Sequence, residues 1–169
     1  MSSSVKHKQQ RVGVFVDVSN MYHSSRNLYK AKVNFESVLK VGVAGRKLIR
    51  AFAYVIEADV KGEKGFFEAL EKQGFEVRAK EIQVFAGGAK KGDWDVGLCM
   101  DVVRLTPLLD TVVLVSGDGD YVDLLNYLRG HGRRTEVIAF GRTTSHRLID
   151  EADEFIDMEK KTKHFLFSH

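Results

Sequence analysis

Apolar runs of strand length alternate with stretches of helical period along most of the chain, and turn residues separate them. Residues 12–16 are mostly β-branched or aromatic, 49–56 read as a second strand, and 75–84 as a third that is longer and more polar. Residues 111–115 are almost purely β-branched, and 135–140 complete a set of five predicted strands. Helical spacing appears between them. Phe66, Phe67 and Leu70 mark a helix over 63–73 that stops at Gly74, and Val96, Cys99, Met100 and Val103 mark one over 93–105 that Pro107 cannot continue. Leu124, Leu125 and Leu128 mark another, ending at Gly130.

Strands that are apolar on both faces and alternate with helices need cover on both sides. The pattern therefore predicts an α/β fold, a three-layer sandwich with a mostly parallel central sheet of about five to six strands. Right-handed crossovers leave few topologies, and ligands of such sheets collect beyond the carboxyl ends of the strands. One domain over 11–157 is expected, with loosely ordered tails at 1–10 and 158–169.

Acidic residues stand where those strands end. Asp17 follows RVGVFV, Asp95 lies in KGDWDV, and Asp118 and Asp120 lie in LVSGDGDY. If the strands are parallel, these carboxylates meet at one sheet edge and repel one another unless a cation joins them. The competing explanation is helix capping, because Asp and Ser are preferred caps and acids suit helix N-termini. Capping needs only one acid per helix, and Ser19 or Asn20 could cap the helix after Asp17. In SGDGDY, Gly117 is expected to let the chain turn and Gly119 to permit close approach of another backbone. Asp93 shares the first-turn position with Asp95. Asp101 lies about 9 Å further along the same axis, rotated away from Asp95, and is expected to support the site from outside it.

Composition adds limits. A chain of 169 residues with 44% apolar and 29% charged residues can close one hydrophobic core unaided. The net charge of +3 is too small to name a polyanionic partner, so the placement of the basic groups matters more. The single cysteine, Cys99, excludes an internal disulfide and Cys-based zinc patterns. The leader MSSSVKHKQQR has no apolar core, and no apolar run reaches the roughly 20 residues that span a bilayer. A cytoplasmic protein without membrane contact is expected. Gly87–Asp93 lacks the terminal Lys and Ser/Thr of a P-loop, Met21 stands where an integrin-type site needs serine, and Ser19 replaces the second Asp of a dehalogenase-like phosphatase.

Taken together, DVSN at 17–20, KGDWDV at 91–96 and SGDGDY at 116–121 resemble the three signature blocks of the NYN domain, in its LabA-like branch. The resemblance extends from Arg11 to Asp157, and the stretch TTSHRLIDEADEFI, with Ser145, Leu148, Ala152 and Asp153, is similar to the family's closing motif. It implies a PIN-like (Rossmannoid) nuclease fold, a divalent cation on acidic residues, and RNA as substrate. By this match Asp17, Asp95, Asp118 and Asp120 are the catalytic and metal-site candidates, with Asn20 and Ser116 beside them. The block KGDWDV departs from the family's usual KGxD by the extra acid Asp93 and by Trp94, which could stack on a base or simply pack.

The chemistry so implied is phosphodiester hydrolysis with Mg²⁺ or Mn²⁺, since oxygen-only ligation suits hard cations. Lys90, Lys91, Arg142 and Arg147 are candidate contacts to single-stranded RNA, against the plain reading of solvated surface charge. Arg129, Arg133 and Arg134 lie at the opposite sheet end and are expected to be surface. Two readings follow: a metal-dependent ribonuclease, or a catalytically weak regulatory module binding RNA or protein on the same fold. Assembly as a homo-oligomer is left open by the sequence.

Overall fold

The computed structural model describes residues 6–81, 83–84, 90–91 and 93–167. Its strands are β1 (Arg11–Asp17), β2 (Lys47–Ile56), β3 (Glu76–Lys80), β4 (Gln83–Val84), β5 (Lys90–Lys91), β6 (Thr111–Val115), β7 (Arg134–Ala139) and β8 (Glu154–Asp157). The α-helices are α1 (Val18–Tyr29), α2 (Phe35–Val43), α3 (Phe66–Gln73), α4 (Asp95–Leu105), α5 (Val122–Gly130), α6 (His146–Glu151) and α7 (Thr162–Phe165). Six strands form one parallel sheet in the order β3-β2-β1-β6-β7-β8, and β4 pairs with β5 as an antiparallel hairpin outside it.

Side chains of period two divide the core between the two faces of this sheet. Val12, Val14 and Val16 of β1 pack with Val113 and Val115 of β6 on one face, under Met21 of α1, Val38 and Leu39 of α2 and Leu70 of α3. Phe15, Val112 and Leu114 point the other way, against Leu98 and Val102 of α4, Leu125 and Leu128 of α5 and Leu148 of α6. Apolar burial on both faces is what a parallel strand requires. The three-layer α/β sandwich is therefore present, with six strands in its central layer.

At the amino-terminal end of the sheet an acid is buried with its own counter-charges. Glu136 of β7 is fully buried and receives two hydrogen bonds of 2.9 Å from Arg46 and one of 2.7 Å from Arg134. Burial alone would raise the Glu136 pKa; the bonds from the two guanidinium groups overrule it and hold the pKa below the usual value. Arg134, expected on the surface, is thus an interior ion-pair partner at 3% exposure.

Several local expectations need correction. The long third strand is two pieces: β3 ends at Lys80, and Gln83–Val84 turn back to pair with Lys90–Lys91. The helix α2, the helix α6 and the strand β8 lie in segments the hydrophobic period left unassigned. The closing stretch TTSHRLIDEADEFI contains the last two of these. The carboxyl-terminal segment is not a loose tail from residue 158. Met158 is fully buried and Phe165 is 1% exposed, both in the same core as β1. Backbone bonds fix it as well: Asn34 N–H donates to Phe165 O at 2.7 Å and Phe167 N–H to Lys32 O at 2.9 Å. At the other end, the Lys6 ammonium lies 3.1 Å from the Glu154 carboxylate.

The docked segment should matter for stability. Phe165→Ala is expected to cost about 3–5 kcal/mol in urea unfolding, as for other buried phenylalanines. A change near zero would show that the segment does not belong to the core.

Candidate metal centre

Strand order reverses between β1 and β6, whose connections leave in opposite directions along the sheet. The carboxyl ends of two such strands leave a crevice between the departing chains. The register pairs Val16 with Val115, so the next residues, Asp17 and Ser116, fall side by side at the edge. Ser116 Oγ donates to Asp17 Oδ2 at 3.0 Å, and Asp17 Oδ1 accepts the Asn20 N–H at 3.2 Å as the cap of α1. Asp17 is therefore a helix cap, but capping occupies only one of its oxygens. Asn20 turns to the other strand, where its Oδ1 accepts the Gly117 N–H at 2.9 Å.

The loop after β6 is shaped by close approach. Neither Gly117 nor Gly119 has a positive φ. A Cβ on Gly117 would stand 2.7 Å from Thr143 O, and one on Gly119 would stand 2.9 Å from Ser145 Oγ. Two glycines let the 143–145 loop press onto this turn, and Ser145 N–H closes the contact by donating to Gly117 O at 2.9 Å. Asp118 projects from the turn, with its backbone N–H bonded to Ser116 Oγ at 3.1 Å and its Oδ1 accepting from the Asp120 N–H at 2.9 Å.

Asp95 arrives from the opposite face at the start of α4. Its backbone N–H donates to Asp93 Oδ1 at 3.2 Å, and the preceding residue anchors the helix. Trp94 Nε1–H donates to Val55 O at the end of β2 at 3.0 Å, its ring rests against Tyr54 at 5.4 Å, and the Lys80 ammonium lies 4.5 Å from its centroid. Trp94 is a packing anchor that positions Asp95.

The result is a cluster. One carboxylate oxygen from each of Asp17, Asp95 and Asp118 lies within 4.8 Å of the others. Tyr121 was not singled out by the sequence beyond its place in SGDGDY, yet it links two of the three. Its buried hydroxyl lies 3.1 Å from Asp95 Oδ1 and 3.4 Å from Asp17 Oδ2. A tyrosine three residues after a site acid reads as core by its apolar ring, and its hydroxyl contact is invisible without the fold.

The other sequence candidates are placed differently. Asp120 is exposed and outside the cluster of three. Asp101 is a structural acid, bonded by Tyr54 at 2.8 Å, Arg78 at 2.9 Å and Arg104 at 2.6 Å. Arg142 is engaged by Glu159 at 2.5 Å and lies over Tyr29. Arg147 is exposed on α6. The side chains of Lys90 and Lys91 lie outside the described residues.

Electrostatics distinguishes the cluster from every other buried acid described. Burial first, then the neighbouring Asp118 charge, push Asp17 up to about 6 despite the bonds from Asn20, Ser116 and Tyr121. Burial, then the charges of Asp118 and Asp93, push Asp95 up to about 7. No lysine or arginine among the described residues pairs with these acids, whereas Glu136 has two arginines. The set contains only oxygen donors. Cys99, one turn along α4, is pushed up to about 11 by burial and then by the Asp95 charge, so it presents no thiolate. Three converging, unneutralised carboxylates fit a hard divalent cation.

Comparison with known proteins agrees with this fold. The NYN domain family profile matches residues 11–159. The chain is 23% identical over 161 residues to the Low amplitude and bright protein LabA of Synechococcus elongatus, covering 89% of this chain and 85% of that protein. A crystal structure of a Vibrio parahaemolyticus protein of unknown function, 31% identical, superposes with a TM-score of 0.86 and covers 96% of this chain and 99% of the other.

The raised carboxyls fix a pH dependence. Asp17 and Asp95 keep protons in the folded chain that an unfolded aspartate, with a pKa of about 3.9, has already lost, so metal-free stability falls as pH rises from about 4 to 7. Asp95→Asn should raise the metal-free Tm at about pH 8 by roughly 2–4 °C, if screening leaves on the order of 1 kcal/mol to relieve. For the wild type, Mn²⁺ at about a hundredfold excess over Kd should add about 2.7 kcal/mol, or roughly 5–10 °C. Thermal unfolding in EDTA and in Mn²⁺ at about pH 5 and about pH 8 measures all three, and an unmoved Tm with Mn²⁺ at the higher pH would contradict a cation site.

Proposed function

Because this chain belongs to the NYN domain family, we propose that it is a metal-dependent ribonuclease that hydrolyses single-stranded RNA with Mg²⁺ or Mn²⁺. The observation that carries this reading is the convergence of Asp17, Asp95 and Asp118, with no lysine or arginine among the described residues paired to them. Concentrated negative charge works against binding a polyanion unless a cation reverses its sign. When bound, a divalent cation supplies Lewis acidity toward water and neutralises charge building up on the phosphate.

The chain's own residues then have separable roles. Asp17, Asp95 and Asp118 would hold the ion, and Asp120, exposed one residue beyond Gly119, would orient water or hold a second ion. Ser116 and the Asn20 N–H fix the two Asp17 oxygens, which keeps that carboxylate from rotating away as its neighbours repel it. Tyr121 donates its single hydroxyl proton toward Asp95 and Asp17, joining ligands that come from opposite faces of the sheet. Its burial pushes the phenol well above its ordinary range, so it stays a donor at neutral pH and takes no part as a base. Trp94 and Asp93 hold the start of α4, and with it Asp95, against the end of β2.

Asp118→Asn is expected to lower cleavage of single-stranded RNA in Mg²⁺ or Mn²⁺ on the order of 10²–10³-fold. Tyr121→Phe keeps the ring and loses the hydroxyl, and should cost about 10–100-fold in metal affinity or activity, as partners of metal ligands do. Gel-resolved cleavage of labelled RNA measures both. Salt-sensitive binding that survives Asp118→Asn, with no cleavage in either metal by the wild type, would identify the binding-module alternative.

A further inference from the structure

A second feature lies beside the aspartates. A groove of about 1040 Å³ opens between α1, the start of α2 and the 62–66 loop that leads into α3. Its wall begins with Val18, the residue that follows Asp17. The floor is apolar: Val33 and Phe35 are buried beneath it, Phe66 is half-buried, and Phe167 at the margin is 52% exposed.

The rim is cationic. Arg26, Lys30, Lys32 and Lys64 are all exposed around the groove. Its one acid, Glu63, is already paired with Lys32 at 3.5 Å. Tyr22 lies half-buried in the wall with the Arg26 guanidinium 5.2 Å from its ring centroid and bonded to its hydroxyl at 2.8 Å. Lys30 adopts the left-handed backbone conformation (φ 53°) as the cap of α1, a position where glycine is less strained. The chain keeps a cationic side chain there.

We propose that this groove is the track along which single-stranded RNA approaches the aspartate cluster, with phosphates on the Arg26, Lys30 and Lys64 rim and bases against Tyr22 and the apolar floor. The proposal rests on the ribonuclease reading. Charge complementarity selects a polyanion, and the apolar floor selects one whose flat faces are unpaired, because a duplex hides its bases. The groove and the cluster share α1: Val18 in the groove wall directly follows Asp17 of the one cluster of three acids in ligating range among the described residues, which is the geometric link the track requires.

The test is binding of a fluorescein-labelled oligouridylate of about 12 nucleotides, by anisotropy in EDTA over a range of salt. Wild type is compared with Lys30→Gly and with the triple variant Arg26→Ala/Lys30→Gly/Lys64→Ala. Lys30→Gly suits its backbone conformation, so its Tm should hold while affinity falls, separating binding from folding. The triple variant should lose at least about tenfold in affinity, and its slope of log affinity against log salt should shrink by roughly 2, about 0.7 for each phosphate contact removed. Unchanged affinity and slope overturn the groove, even if the wild type cleaves the oligomer in Mn²⁺. Groove-dependent binding without any cleavage in Mn²⁺ leaves the track standing and overturns the nuclease reading. Equally tight, groove-dependent binding of polyglutamate would make the occupant an acidic protein segment and overturn the RNA assignment.

Discussion

Negative charge that no described lysine or arginine pairs is the constraint around which this molecule is arranged. Asp17 is buried at the end of a central strand, and its two nearest ionisable neighbours in the cluster, Asp95 and Asp118, carry the same sign. The hydrogen bonds from Ser116, Tyr121 and the Asn20 amide orient the carboxylates and reduce the cost of burying them; they do not cancel the charge. The same chain neutralises buried acids elsewhere. Glu136 sits between Arg46 and Arg134, and Asp101 between Arg78 and Arg104. Among the described residues, arginines thus pair the structural acids Glu136 and Asp101, and none pairs with the three acids that meet.

Placement of that charge follows from topology. A parallel sheet whose order reverses between β1 and β6 opens a crevice at their carboxyl ends, and the chain puts one aspartate on each departing loop. The third must come from another layer. Trp94, clamped to the Val55 carbonyl and packed on Tyr54, holds the first turn of α4 against the end of β2 and so delivers Asp95. Tyr121 then ties the two layers through one hydroxyl. Stability given up at the cluster is recovered in the two apolar faces of the sheet, which need no polar compensation.

Much of this was legible in the residue pattern. Strands such as Val12–Val16 and Thr111–Val115 are apolar at nearly every position, so both their state and their burial could be read, and the acids at their tips followed. Other features were silent for physical reasons. Met158 and Phe165 are separated by a lysine-rich stretch, so a docked segment looks like a polar tail until β1 and α2 are there to receive it. Gln83–Val84 and Lys90–Lys91 are only two residues each, too short for a period to separate them from the strand before. Arg134 reads as surface because nothing local reveals Glu136 as its buried partner two residues on. Tyr121 and Trp94 were visible as aromatics, but their roles lie in single polar atoms whose partners are distant in sequence.

The central claim is that the cluster exists to hold a divalent cation, and anomalous diffraction from a crystal soaked in Mn²⁺ tests it most directly. The account predicts an anomalous peak bounded by carboxylate oxygens of Asp17, Asp95 and Asp118. A fully soaked crystal with no manganese between those three residues, and their side chains unmoved, would contradict it.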